Sequence, residues 1–253
     1  MSSGDGIKAV RTTFRVLHAL QEIDGYAGVS ELAECLDIPV STVHSHLNTL
    51  RDCEYVIKRG KEYNLGYRFL ENGGQLRDRT RLYQFAKPKI DQLAAEFGDE
   101  VALVVEDHGL AAHVYISKGE ESIETDTYIG IRLHIHSAAG GKAILAFEPE
   151  ERVHEILDRR GLPNHGPNCI TTREAFMEEL EEIRETGVAF DYQERIEGIR
   201  SVAVPLLCDP PEPNAAIVVS GPVSRMNGDR FDETIPESVE NITETIRIKL
   251  RYA

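Results

Sequence analysis

The chain has 253 residues with 41% apolar side chains, enough to fill the cores of two modest domains and too many for a globally disordered polymer. Asp and Glu outnumber Lys and Arg by 43 to 28, a formal charge of −15, yet residues 1–80 hold 11 acidic against 10 basic side chains while the remainder holds 32 against 18. The repulsive charge therefore sits in the second part of the chain and leaves the first part free to meet nucleic acid. Met1–Gly6 is polar and lacks the apolar core of a secretory signal, and no later apolar run is long enough to span a bilayer. The expected location is the cytoplasm, with no membrane partner. Val10, Phe14, Leu17 and Leu20 recur at helical spacing and predict a helix over 7–23, ended by Gly25 and Gly28. Ser30 is the expected N-cap of a helix over 31–36, with Leu32, Ala33 and Leu36 facing inward. After the turn Asp37-Ile38-Pro39, a helix over 41–52 puts Val43, Leu47 and Leu50 on one stripe. Its other side presents Ser41, Ser45 and Asn48, flanked by Thr42, His44 and Thr49, with Arg51 in the last turn. Two short helices joined by a tight turn, the second with a polar outer face, are what a groove-reading unit requires. Segments 54–57 and 62–65 are expected strands around a basic turn, Lys58-Arg59-Gly60-Lys61, suited to phosphate or minor-groove contact.

Leu32-Ala33, Ile38-Pro39, Ser41-Thr42-Val43-His44, Leu47, Thr49-Leu50, Tyr55-Val56 and Tyr63-Asn64-Leu65-Gly66 together resemble the winged helix-turn-helix of the IclR family of transcriptional regulators. The resemblance implies a double-stranded DNA operator as partner. Its readers are Ser41, Thr42, His44, Ser45, Asn48, Thr49 and Arg51 of the recognition helix and Lys58, Arg59 and Lys61 of the wing. Val40 and Ser45 stand where the family usually carries basic residues, which removes phosphate contacts and flattens the dependence on salt. An acidic surface is also a device of halophiles, and the two features together suit a high-salt cytoplasm.

Segment 66–97 is mostly helical in pattern, interrupted by Gly73-Gly74 and Pro88, with Leu82, Phe85, Ile90, Leu93 and Phe97 as apolar anchors. A helix starting near Leu76, kinked near Pro88, is the expected link between domains. The expected division is 1–68 for DNA binding, 69–85 for the linker helix and 86–253 for a second domain. Linker contacts in the resembled family, and the specificity gained from two half-sites, imply a homodimer or a dimer of dimers.

Beyond the linker, strands are expected over 101–106 and 112–116 around Asp107-His108-Gly109, and over 201–207 and 215–220 around a proline-rich loop. Helices are expected over 144–147, 151–159, 173–185 and 231–251. Strands, then helices, then strands predict an α+β domain with an antiparallel sheet. Leu133-His134-Ile135-His136-Ser137-Ala138-Ala139-Gly140-Gly141-Lys142-Ala143 resembles the ligand loop of the same family, which makes the domain GAF-like and effector-binding. Small residues there admit a ligand to the backbone, and a helix starting near Gly140 would favour an anion. The family's pocket, carried over by position, implies Leu133, Ala139, Gly140, Asp191, Ile199, Ser201, Val218 and Ser220 as effector contacts. Ser201 and Val218 replace the family's frequent Cys and Ser, so the effector itself does not transfer; a small carboxylate or sugar acid from a catabolic pathway is the expected class.

The stretch is not a phosphate-binding Walker loop, because His136 replaces its first glycine and Ala143 its Ser or Thr. The chain has no GxSxG or HExxH, so no catalytic residues, no enzyme activity and no cofactor are expected. Cys35, Cys53, Cys169 and Cys208 are scattered without a CxxC pair and read as buried free thiols. One alternative stays open. His113, His134 and His136 could converge across neighbouring strands, with His134 and His136 on one strand face, making the protein a metal-responsive regulator. The leading expectation assigns no metal and reads His136 as structural and His134 as a wall residue.

Overall fold

Apolar residues three and four apart wind the start of the chain into α1 (Lys8–Glu22), α2 (Val29–Leu36) and α3 (Val40–Asp52) in the computed structural model, which describes residues 6–23, 25–210 and 212–252. The polar stretch up to Asp5 falls outside the described residues. Strands β2 (Val56–Arg59) and β3 (Glu62–Leu65) form the hairpin, and β1 (Ala27–Gly28), which sequence periodicity did not reveal, pairs with β3. Leu20, Leu32, Val43, Leu47, Val56 and Tyr63 close a common core.

Three local expectations need correction. α1 turns Val16, Leu17, Ala19 and Leu20 inward, while Val10 and Phe14 are 48% and 55% exposed. α2 starts before Ser30: the Gly28 N–H donates to Glu31 Oε2 at 3.3 Å, so the cap position falls on Gly28 and Ser30 lies in the first turn. The first strand of the hairpin starts late, because Glu54 takes a left-handed conformation (φ 67°) just after α3. Lys58 and Arg59 consequently lie in β2, and only Gly60 and Lys61 form the tip.

α4 (Arg68–Asp78) begins eight residues before the position expected at Leu76 and runs through Gly73-Gly74 unbroken; the break falls instead before α5 (Arg81–Phe97). α5 continues through Pro88, held by the burial of Leu82, Ala86, Ile90, Leu93 and Ala94 along one face. The chain divides into two compact units, Met1–Leu76 and Arg77–Ala253.

The second unit is built on one antiparallel sheet of β4 (Glu100–Asp107), β5 (Leu110–Lys118), β6 (Arg132–His134), β7 (Ala189–Tyr192), β8 (Ile199–Leu206) and β9 (Ala215–Pro222), in the order β6-β5-β4-β9-β8-β7. β6 and β7 were not expected as strands. α5 and α9 (Ile235–Tyr252) cover one face, and α6 (Ala139–Leu145), α7 (Glu150–Arg160) and α8 (Arg173–Thr186) build the core on the other. α6 starts at Ala139 rather than Ile144, and a π-helical turn, Arg230–Thr234, precedes α9. The two faces differ in bulk. Val101, Leu103, Val202, Val204, Ile217 and Val219 meet α5 and α9, whereas Ala102, Ala203 and Ala216 face α6. Small side chains on both partners let α6 lie close to the sheet: a Cβ on Gly140 would come within 2.7 Å of Val218, and one on Gly141 within 2.1 Å of the Ile135 carbonyl. The four cysteines are free but not buried as expected: Cys35 and Cys53 are exposed and Cys169 and Cys208 half-buried. Among the described residues, no helix is long and apolar enough to cross a membrane.

Candidate functional site

The outer face of α3 carries the predicted readers. Ser41, His44, Ser45, Thr49 and Arg51 are exposed, and Thr42 and Asn48 are half-buried. Ser45 Oγ donates to the Ser41 carbonyl at 2.9 Å and Thr49 Oγ1 to the Ser45 carbonyl at 3.1 Å, so both hydroxyl protons are spent on the helix and their oxygens remain as acceptors. Asn48 Nδ2 lies 3.2 Å from His44 Nδ1, and Arg51 pairs with Asp52 at 2.8 Å. His46, which the sequence did not single out, fixes this face: its Nδ1 lies 2.9 Å from Thr13 Oγ1 of α1. Lys58 sits over the Tyr63 ring and Arg59 over the Tyr26 ring, each 5.1 Å from the centroid, while Lys61 stands exposed at the tip. Gly66 is demanded by space, since a Cβ there would come within 2.7 Å of the Glu54 carbonyl.

The second unit encloses a cavity between α6 and the sheet, with about 660 Å³ of empty space including its open mouth. Leu133, Ala139, Gly140, Asp191, Ile199, Ser201, Val218 and Ser220 all line it. Register explains why. Lys118, Glu100, Ser220, Ser201 and Asp191 are successive cross-strand partners on β5, β4, β9, β8 and β7, so they form one row on the same sheet face. The neighbouring row is apolar and packs under α6. Ser201 Oγ and Ser220 Oγ are 2.8 Å apart, and Asp191 Oδ1 accepts the Glu194 backbone N–H at 2.7 Å.

The lining also includes Glu100 and Arg195, which the sequence did not single out, and His113, which it offered only as a metal candidate. A β-bulge at Leu103/Val104 pairs Val104 with His113, in place of the Val114 that simple alternation would set there. His113 is 7% exposed and its Nδ1 has no partner; burial, with Arg195 nearby, lowers its pKa to about 4. Glu100 is equally buried, its Oε2 is unpartnered, and burial raises its pKa. Burial also raises that of Asp191, against the pull of the Glu194 amide. Arg195 is taken up by a two-point pair with Asp126, both contacts at 2.8 Å, and by Thr127 Oγ1 at 3.1 Å.

Lys142 of α6 is fully buried, its ammonium 2.7 Å from Glu179 and 2.5 Å from Glu194. Burial outweighs the lysine's attraction at Glu194 and leaves that carboxyl at about 7. His134 and His136 come together, their ring centres 5.9 Å apart, but His113 does not join them, so the three-histidine set of the metal alternative is not formed. β6 ends at His134, and 135–137 forms a 3₁₀ turn, so His134 and His136 share no strand face. His136 Nε2 donates to the Pro163 carbonyl at 3.0 Å, His134 stacks near His165 with ring centres 4.7 Å apart, and His113 faces the cavity. Among the described residues, no three His, Cys, Asp or Glu side chains gather at metal-holding spacing.

Comparison with known proteins covers both units. The family model for the IclR helix-turn-helix domain matches residues 9–60, and the one for the bacterial transcriptional regulator IclR C-terminal domain matches 75–247. A Halobacterium salinarum protein named "Probable HTH-type transcriptional regulator ArcR" is 30% identical over 98% of this chain and 95% of its own length. The crystal structure of Thermotoga maritima IclR is 29% identical, with a TM-score of 0.78 over 98% of this chain and all of that one. A Microbacterium hydrocarbonoxydans IclR homologue, crystallised with 4-hydroxybenzoate, shares the fold at 22% identity and a TM-score of 0.81, over 97% of this chain and all of that one.

Proposed function

Since the chain belongs to the IclR family, DNA-binding transcriptional regulators with a C-terminal effector-binding domain, we propose that α3 reads a palindromic operator and that the cavity under α6 holds the effector. The observation that carries the effector site is the gathering of eight separately placed residues, from Leu133 to Ser220, around one cavity. The ammonium of Lys142 is consumed inside the fold by Glu179 and Glu194, so it anchors α6 rather than meeting a phosphate. The effector is a small organic acid from a catabolic pathway, a class to which the 4-hydroxybenzoate of the Microbacterium homologue belongs.

Residues 1–68 serve as the reading head, 69–85 as the linker and 86–253 as the sensor. The acting species is a homodimer or a dimer of dimers, supported by the exposed Ile7, Val10 and Phe14 on the α1 side and by Leu70 and Leu76 of α4, apolar groups that a monomer leaves in water. The protein acts in the cytoplasm, without catalysis, and its acidic surface suits high salt. The effector acts by favouring one arrangement of the dimer over another. Genome-wide occupancy across carbon sources tests the proposal. Discrete peaks beside catabolic genes that shift with one nutrient are expected; uniform occupancy under every condition would refute it.

A further inference from the structure

Among the described residues lining the cavity, Arg195 is the one Lys or Arg, and its guanidinium is held by a carboxylate of the protein itself. Nη1 and Nη2 each donate to Asp126, both contacts at 2.8 Å, and Nη2 also reaches Thr127 Oγ1 at 3.1 Å. Two parallel N–H···O contacts are the geometry in which a guanidinium receives any carboxylate. The contact is firm enough to hold the Asp126 carboxyl below its ordinary range.

Asp126 belongs to the segment 119–131 between β5 and β6, a strap along the cavity. At its start the Gly119 N–H donates to the Asp99 carbonyl at 3.0 Å, and at its end the Gly130 N–H donates to the His113 carbonyl at 2.8 Å. Between these points Ile123, Thr125 and Thr127 line the cavity. The alternating residues, Glu124 and Asp126, pair with Lys118 and Arg195.

The two partners of the Arg195–Asp126 pair are not equally fixed. Arg195 follows Glu194, which is tied to the buried Lys142 at 2.5 Å, and its own side chain is 17% exposed. The Asp126 side chain is 65% exposed and returns to water at little cost. Arg195 borders both the cavity and an outer cleft lined by Arg132, His134 and His165, whereas Asp126 borders the cleft alone. Charge also favours exchange over addition. The cavity already holds the buried carboxyls of Glu100 and Asp191, and a third negative charge without a partner would be costly there. An acid that takes the place of Asp126 finds a cation waiting and leaves the charge around Arg195 unchanged.

We propose that Arg195 reads the effector's carboxylate and that Asp126 is its stand-in in the empty protein, displaced into solvent when the acid arrives. The proposal rests on the reading of the cavity as the site of a small organic acid, and it names the group that recognises the acid. Losing the Asp126 contact unpins the strap, so binding loosens the middle of 119–131 rather than clamping it.

The test is calorimetric titration of the purified full chain with 4-hydroxybenzoate, L-lactate, succinate and D-gluconate, each beside its neutral primary amide. At least one acid is expected to bind the wild type about tenfold or more tightly than its amide. The two halves of the pair should then shift that acid in opposite directions. Asp126→Asn, which removes the competing charge, is expected to tighten it by about fivefold. Arg195→Gln is expected to weaken it by about tenfold or more, and Arg195→Lys, which keeps the charge without the two-point geometry, by less. Hydrogen exchange at the amides of 122–129 is expected to quicken when the acid saturates the wild type. A pair that only braces the fold would move both variants in the same direction, and that result overturns the proposal. So do acid and amide binding alike, protection of the strap by the acid, or no acid binding even to Asp126→Asn. The cavity itself is judged separately, by Ala139→Leu or, should that variant not fold, Ser220→Leu. Loss of all binding there, acids and amides together, keeps the cavity as the effector site whatever becomes of Arg195; binding unaffected by these fillings overturns the cavity.

Discussion

Replacing Lys142 by methionine removes one charge from a group of three and keeps nearly the same volume. Lys142 is 1% exposed at its side chain, Glu194 6% and Glu179 26%, so the ammonium is the cation on which a buried carboxylate depends. Breaking a buried pair by deleting one partner costs about 3–5 kcal/mol, whereas removing both partners is close to neutral. Glu194 already lies near 7 from an ordinary 4.5, so the folded state holds its proton more tightly than the unfolded chain does. That contribution to stability is complete below 4.5 and is lost as pH rises through 7. Without Lys142, which pulls that pKa down, the proton is held to still higher pH, and the destabilisation by Lys142→Met should be largest at pH 8 and smaller near pH 6. A loss of about 3–5 kcal/mol at pH 8 corresponds to roughly 6–20 °C in Tm for a unit of this size. Urea unfolding followed by tyrosine emission suits a chain with nine Tyr and no Trp. The double variant Lys142→Met with Glu194→Met should recover most of the loss. A cost under about 1 kcal/mol at pH 8, or a double variant no better than the single one, would refute the reasoning.

Two further perturbations address the reading head and the sensor. Replacing Lys58, Arg59 and Lys61 together by alanine should weaken binding to all DNA sequences alike and lower the slope of log K against log salt by about one per lost phosphate contact; an unaltered slope in fluorescence-anisotropy titrations would remove the wing from the DNA surface. His113, buried and lowered to about 4 from an ordinary 6.5, binds a proton less readily when folded, so its contribution to stability is complete above 6.5 and is lost as pH falls toward 4. His113→Asn should therefore make the protein less acid-sensitive over that range, by on the order of 3 kcal/mol. Denaturation midpoints measured from pH 7 to pH 4 decide it: parallel curves for the two proteins would show that the imidazole is not the group concerned.

How much of this was legible in the chain differs between the two units for a physical reason. The reading head is built from short helices whose inward positions lie three and four apart, so Val43, Leu47 and Leu50 announce α3 and its polar outer face by local spacing alone. The same logic overreached at α1, where Val10 and Phe14 obey the spacing yet stay exposed, because periodicity marks a face without saying what covers it. In the second unit the sheet is covered on both faces, so its strands read as continuous apolar runs with no alternation to mark which side is which. β1, β6 and β7 are two to four residues long and carry too little pattern to be seen. The family-like loop around Gly140 located one side of the cavity. Glu100, which nothing near it in sequence marks, and His113, which the sequence offered only as a metal candidate, complete the other side.

What the sequence determined by itself, then, is whatever depends on neighbours within a turn or two of helix: the helix-turn-helix, its polar face, the basic hairpin, the charge divided between the two parts of the chain. What only the tertiary structure decided is cross-strand register. Strand pairing sets Glu100 beside Ser220 and Ser220 beside Ser201, and one extra residue at a bulge turns His113 rather than Val114 into the cavity. A single-residue slip moves every side chain of a strand to the opposite face, and the contacts that prevent it join residues about a hundred positions apart.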